Sequence, residues 1–213
     1  MKAVIFDMDG TLLDSMQVWR EFRHRVVKRL NIKTVPENLF DILKDMSIEE
    51  SAEYFSYLAG NRSKQEVLDI YYEILKDYYE NEAELKPNVR EFLQALWDKN
   101  VLMCVATETD IEFSKAALER NDVLKYFDFL ICAREVGKGK KYPDIFLEAL
   151  KRLCLDKEDV IIFEDSYYAA KTAKESGFKV YAIHDDYHKN PQEIIDISDK
   201  YSIDFIDYIN MLK

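Results

Sequence analysis

Ala3-Val4-Ile5-Phe6-Asp7-Met8-Asp9-Gly10-Thr11 is four apolar residues running straight into an acidic pair and a glycine. An apolar run this short, without polar alternation, reads as a strand buried on both faces. Val101–Ala106, Phe129–Cys132 and Val160–Phe163 have the same look, and Val180–Ile183 is similar. Helical patterns lie between them. Val89, Phe92, Leu93, Leu96 and Trp97 recur at helical spacing behind Asn88, which is expected to cap the helix with Glu91. Thr109 and Glu112 read as a capping box. Pro143 suits the first turn of a helix reaching about Cys154, and Ser166 the cap of a helix closed by Gly177. Strands alternating with helices over residues 88–183 predict parallel βαβ units, an α/β fold with helices on both faces of one sheet.

Residues 14–85 break this rhythm. They hold no strand-like run but several helical stretches: Trp19, Phe22, Val26 and Leu30 mark one, Ser47–Ala59 and Ser63–Tyr79 two more. The first strand is thus separated from its sheet by an inserted all-helical cap. The expected division is a core of residues 1–13 and 86–213 with a cap domain of residues 14–85, Pro87 marking the return. Hinge motion is expected at Leu12–Ser15 and Leu85–Pro87.

The 213 residues carry a formal charge of −11 and a sequence pI near 4.9. That balance argues against nucleic acid and against an anionic membrane surface, both of which demand clustered cations. Ala3–Phe6 is too short for a signal-peptide core and no later run is long enough to span a bilayer, so a cytoplasmic location is expected. Cys104, Cys132 and Cys154 lack C-x-x-C spacing and read as reduced, small core residues.

Chemistry collects where apolar runs end. Phe6 leads into Asp7, Ala106 into Thr107, and Phe163 into Glu164-Asp165. Ligands of open α/β sheets bind outside the carboxyl ends of the strands, so these residues are expected to converge. Carboxylates offering only oxygen suit a hard Mg²⁺. A threonine hydroxyl and a lysine complement a phosphoryl group.

Taken in order, Asp7-Met8-Asp9-Gly10-Thr11, the Val105-Ala106-Thr107 segment, Lys140 before Pro143-Asp144 (K-x-x-P-D) and Glu164-Asp165-Ser166 resemble the four motifs of the haloacid dehalogenase superfamily. The likeness is to its phosphatase-type branch, and the early insertion resembles the helical cap of the first subgroup. The resemblance implies a Rossmann-like core and a Mg²⁺-dependent phosphatase acting on a small phosphorylated metabolite. It assigns Asp7 as nucleophile and Asp9 as acid–base, with Mg²⁺ held by the Asp7 carboxylate, the Asp9 carbonyl and the Asp165 carboxylate. Thr107 and Lys140 bind the phosphoryl group. For Glu164 two roles stay open, metal binding through water or orientation of Lys140; Lys138 and Lys141 are alternatives to Lys140.

Departures from the family pattern sharpen the expectations. Ala169 and Ala170 stand where Gly-Ile is usual, and Glu108 where a small polar residue is. Glu108 is expected to turn away from the phosphate or to contact a cationic or hydroxylated substrate. The segment Leu43–Ser51 is similar to that of β-phosphoglucomutase, but Trp19 and Ile48 stand where that enzyme has a His and an Arg. A phosphomutase is therefore the first rival. A dehalogenase, which needs no acid at Asp9, and a non-catalytic phospho-aspartate switch follow. Arg20, Arg23, Arg25, Lys28 and Arg29 read as a solvated face, with Arg20 and Arg23 the ones placed to meet substrate and Lys44 a substitute. Tyr71, Tyr72, Tyr78 and Tyr79 read as packing, His24, His184 and His188 as surface or half-buried side chains, and Asp185-Asp186 as an acidic loop. Nothing in the sequence fixes the oligomeric state.

Overall fold

In the computed structural model six strands are built, β1 (Ala3–Phe6), β2 (Leu102–Thr107), β3 (Phe129–Cys132), β4 (Val160–Glu164), β5 (Lys179–Ile183) and β6 (Lys200–Ser202). They form one all-parallel sheet in the order β3-β2-β1-β4-β5-β6. The model describes residues 1–43, 46, 48–60, 62–188 and 190–212, with the side chains of Trp19, Arg20, Phe40 and Asp41 set aside. Lys44 and Ser47, and the side chains of Trp19 and Arg20, therefore lie outside the described residues.

Eleven helices connect or flank the strands among the described residues: α1 (Met16–Arg29), α2 (Leu39–Leu43), α3 (Ile48–Leu58), α4 (Lys64–Asn81), α5 (Val89–Trp97), α6 (Ile111–Arg120), α7 (Ala133–Val136), α8 (Asp144–Leu153), α9 (Tyr167–Glu175), α10 (Gln192–Ile197) and α11 (Ile206–Leu212). No described helix is long and apolar enough to cross a membrane. The chain divides into two compact units, Met1–Met16 with Ala83–Lys213, and Gln17–Glu82.

In the larger unit, alternate strand residues serve two cores. Ala3, Ile5, Cys104, Ala106 and Ile131 pack with Ile145, Phe146 and Ala149 of α8 and with Ala169, Ala170 and Ala173 of α9. The two alanines at 169 and 170 are fully buried, so the missing glycine leaves close helix–sheet packing intact. Phe6 and Phe163 instead belong to an aromatic layer with Phe92 of α5 and with Phe205 and Tyr208 near the C-terminus.

Several local expectations are corrected. Asn88 adopts a left-handed conformation and makes no side-chain cap bond, so α5 starts without one. Asp110, not Thr109, is the N-cap residue of α6. Pro143 sits at the N-cap of α8 rather than inside its first turn. Ser166 stands at the N-cap of α9 but spends its hydroxyl on Glu164. Cys104 and Cys132 are buried as expected; Cys154 is exposed, in the left-handed turn that ends α8.

The smaller unit has its own core, in which Val26, Leu30, Leu39, Phe55, Val67 and Tyr71 meet. A capping box starts α4: the Ser63 hydroxyl accepts the Glu66 N–H at 3.2 Å, and Glu66 Oε2 accepts the Ser63 N–H at 2.7 Å. The basic α1 is answered by acids rather than by water alone. Arg25 makes a two-pronged pair with Glu82 at 2.7 and 2.6 Å, and Arg29 bonds Glu73 at 2.7 Å. Arg23 donates to the Leu43 carbonyl at 3.0 Å, a bond within the smaller unit. Tyr71, Tyr78 and Tyr79 are packed, Tyr72 is exposed.

The chain leaves and re-enters the larger unit through two adjacent segments. Asp14 N–H donates to Glu84 O at 2.9 Å and Lys86 N–H to Leu12 O at 2.9 Å, around an antiparallel bridge between Leu13 and Leu85.

Candidate active site

Parallel register brings the strand ends level. Phe6 lies opposite Val105 of β2 and Phe163 of β4, so the residues that follow emerge at one edge of the sheet. Asp7 continues the ladder, its N–H donating to Phe163 O at 2.9 Å, while its side chain enters the edge. There Asp7, Glu164 and Asp165, all buried, bring carboxylate oxygens within 4.8 Å of one another.

Lys140 is inserted into this cluster. Its ammonium contacts Asp7 Oδ1 and Glu164 Oε1, the latter at 2.5 Å, from a side chain only 2% exposed. Lys138 instead pairs with Asp144 at 3.1 Å on the surface, and Lys141 is exposed. The electrostatics follow from burial. Desolvation, with Glu164 and Asp165 nearby, pushes the Asp7 carboxyl well above the ordinary carboxylate range, and Lys140 only partly opposes this. Burial likewise raises Glu164. Burial lowers the Lys140 ammonium, but Asp7 and Glu164 together outweigh it and hold it above the ordinary lysine value.

Each carboxylate is aimed by its own donors. Glu164 Oε2 accepts the Ser166 N–H at 3.2 Å and the Ser166 hydroxyl at 3.0 Å. Asp165 Oδ1 accepts the Thr11 hydroxyl at 3.1 Å. Asp9 stands at the rim, with Oδ1 accepting from Ser15 Oγ and Oδ2 from Thr109 Oγ1, both at 2.6 Å. Gly10 is required twice over. Its φ is +85°, and a Cβ there would lie 2.3 Å from Asp165 Oδ2. Thr107, buried at the end of β2, accepts the Thr109 N–H at 3.0 Å, which leaves its own O–H proton for a further partner.

Asp7 Oδ2 is buried and has no hydrogen-bond partner among the described residues. A buried carboxylate oxygen left unpaired is costly, and a metal ion is one remedy. The donor set is all oxygen. The cluster is therefore fitted to hold a metal ion.

The family model for the haloacid dehalogenase-like hydrolases matches residues 4–183. This chain belongs to that family. It is 32% identical over 196 residues to the phosphorylated carbohydrates phosphatase of Thermotoga maritima, covering 86% of this chain and 85% of that one. It is 24% identical over 193 residues to the 6-phosphogluconate phosphatase of Escherichia coli, covering 90% and 86%. The crystal structure of a "putative beta-phosphoglucomutase" from Thermotoga maritima superposes with a TM-score of 0.84 at 27% identity, over 100% of this chain and 98% of that one.

For this haloacid dehalogenase-like hydrolase, sequence reasoning missed three side chains at the site. Thr109 was read as a helix cap, yet it holds Asp9; a hydroxyl two residues past a strand end signals either role. His188 is half-buried, within the surface or half-buried placement expected of it, but its partner was missed: its Nε2 donates to Asp165 Oδ2 at 2.8 Å. That bond raises the imidazole above its ordinary value, against burial. Asp185 was given no role, yet it is buried and pairs with Lys86 at 2.8 Å, while Lys86 also donates to His184 O at 2.6 Å. Only the apolar run before Asp185 hinted that this loop follows a strand end. Glu108 is taken up by the chain itself: its Oε1 accepts the Lys140 N–H at 2.6 Å.

Proposed function

We propose that this protein is a Mg²⁺-dependent phosphatase that hydrolyses a small phosphorylated metabolite through a phospho-aspartate at Asp7. The observation that carries the reading is the buried Asp7 carboxylate, with one oxygen on Lys140 and the other unpaired, amid Glu164 and Asp165. The Asp7 and Asp165 carboxylates and the Asp9 carbonyl would hold Mg²⁺, which when bound neutralises phosphoryl charge. Everything else falls to the chain's own groups. An oxygen of Asp7 forms the new bond to phosphorus as the leaving oxygen departs with a proton from Asp9. Asp9 then takes a proton from water as that water cleaves the acyl phosphate, restoring Asp7. Thr107 donates to a phosphoryl oxygen and the Lys140 ammonium balances the rest, positioning plus electrostatics being the main catalytic resources for phosphoryl transfer. Glu164 orients Lys140. The helical segment of residues 14–85 acts as a cap that selects the leaving group and excludes water.

The names of the relatives point to sugar and polyol phosphates as the substrates to try first. Released phosphate is to be scored across a panel of such esters with Mg²⁺ and with chelator. Full activity in chelator would sink the reading. The likeness to the Thermotoga protein described as a mutase supports one second reading, a phosphomutase. Against it, Trp19 and the exposed Ile48 stand where that activity wants a histidine and a cationic grip on a distal phosphate. Incubation with β-glucose 1-phosphate and a trace of the 1,6-bisphosphate decides. Glucose 6-phosphate accumulating without matching free phosphate would favour the mutase.

A further inference from the structure

Glu108 directly follows Thr107, and its carboxylate is exposed at the edge of a site proposed to bind an anion. As a bare charge it would repel phosphate. Its hydrogen bonds describe a different occupation. Oε1 accepts the backbone N–H of Lys140 at 2.6 Å, and Oε2 accepts the hydroxyl of Tyr168, from α9, at 2.9 Å. The loop is shaped to admit it. A Cβ on Gly139 would lie 2.6 Å from Glu108 Oε1 and 3.7 Å from its carboxyl carbon, and among the described residues, its chain neighbours aside, would meet no other atom within 4 Å. Gly139 does not have a positive φ, so the glycine is needed here for the approach of Glu108 and for nothing in its own backbone.

We propose that Glu108 is a positioning residue that clamps the Lys140 loop to the end of β2, and so sets Thr107 and Lys140 at a fixed separation for one phosphoryl group. The inference rests on the phosphatase reading of those two residues. Without the clamp, Lys140 would be held only by its own ammonium, whose partners Asp7 and Glu164 pull it into the carboxylate cluster. With the backbone N–H tied from the opposite side, the ammonium stays reachable from the Thr107 hydroxyl. Glu108 thus helps anion binding although its charge opposes it, and the two effects predict opposite signs for its removal.

The test is calorimetric binding of inorganic phosphate, with Mg²⁺ present throughout, to the full chain and to four variants. The clamp predicts that Glu108→Ala weakens phosphate binding by about tenfold, the scale of a backbone hydrogen bond to a charged acceptor. Glu108→Gln should recover most of that, because its amide oxygen still accepts the Lys140 N–H while its amide group donates to Tyr168. Gly139→Ala should weaken binding similarly, yet add nothing to Glu108→Ala in the double variant, since Glu108 is the group that its methyl meets among the described residues. Melting temperatures of the same variants should vary less than the affinities imply. Tighter phosphate binding in Glu108→Ala would show simple repulsion and overturn the clamp. So would an equal effect of Gly139→Ala with and without Glu108, or a loss that tracks melting temperature and is not rescued by Gln. A wild-type protein that neither binds phosphate nor releases it from any ester would strike the phosphatase reading itself, and the clamp with it.

Discussion

Removing Lys140 from a metal-free protein should create a pH-dependent instability of definite size. Lys140→Met keeps the stem's volume but deletes the cation between Asp7 and Glu164, both buried. Breaking a buried pair by removing one partner destabilises by about 3–5 kcal/mol, because the remaining charge is uncompensated. Here the deficit has a ceiling. One proton taken up by the three-carboxylate cluster restores the charge that Lys140 supplied. Keeping a carboxyl of ordinary pKa about 4 protonated costs about 1.4 kcal/mol per pH unit, hence about 5 kcal/mol at about pH 7.5 and about 2 at about pH 5.5. The sign follows from linkage: a carboxyl whose folded pKa is raised binds more protons folded than unfolded, so its contribution is present at low pH and is lost as pH rises from about 4 toward the raised value. Asp7 and Glu164 are already raised with Lys140 in place. The variant should extend that window upward. Thermal melts of wild type and variant in chelator read the difference. With about 2–4 °C per kcal/mol for a chain of this size, lowering the pH from about 7.5 to about 5.5 should narrow the gap in melting temperature by at most about 5–11 °C, less whatever the raised Asp7 and Glu164 of the wild type gain over the same range. A gap that stays constant over that range, or a variant as stable as wild type at about pH 7.5, would refute the account of this cluster.

Asp7→Asn should abolish turnover and Asp9→Asn should slow it by about 10²–10⁴-fold, the usual weight of acid–base help; a tenth of wild-type rate in Asp7→Asn would remove the nucleophile assignment. Mg²⁺ at about a hundred times its dissociation constant should stabilise the wild type by about 2.7 kcal/mol, a rise of about 5–11 °C in melting temperature, and Asp165→Asn should lose most of that rise. Thr109→Val should lower kcat by about tenfold with little change in KM, because it removes a hydroxyl that bonds Asp9 rather than a substrate contact; an unchanged kcat would reduce Thr109 to a local brace.

The core sheet was legible because its strands are buried on both faces, so β1 to β5 appear as unbroken apolar runs in the sequence. β6 was not. Lys200-Tyr201-Ser202 is only three residues long, with Lys200 exposed and Tyr201 half-buried, so it shows no apolar run. The candidate site divides in the same way. Asp7, Thr107, Glu164 and Asp165 are marked by the strands that end in them, and Lys140 by its spacing to Pro143. Thr109, Glu108, Lys86, Asp185 and His188 act through contacts between segments remote in sequence, and no local pattern announces such a pairing. The capping expectations failed for a related reason. Thr109 and Ser166 have the right chemistry for caps, but carboxylates at or just past the strand ends, Asp9 and Glu164, compete for the same hydroxyls and win. Arg23 and Arg25 show the converse in the helical unit, where an apparently solvated basic face is consumed by a backbone carbonyl and an acidic partner on its own unit.

The paired crossing of Leu12–Asp14 with Glu84–Lys86 bears on how such a chain diversifies. Because Asp14 and Glu84 are joined by their own hydrogen bond, the two ends of the intervening segment are already side by side before that segment contributes anything. Whatever is threaded between them meets the same pair of anchor points, and closing even a long excursion between fixed ends grows only logarithmically more unfavourable with its length. The sheet therefore places little restriction on the content of residues 17–82. Helices there can be exchanged, lengthened or reshuffled by recombination at one seam, with the buried carboxylate cluster of the larger unit left where it is.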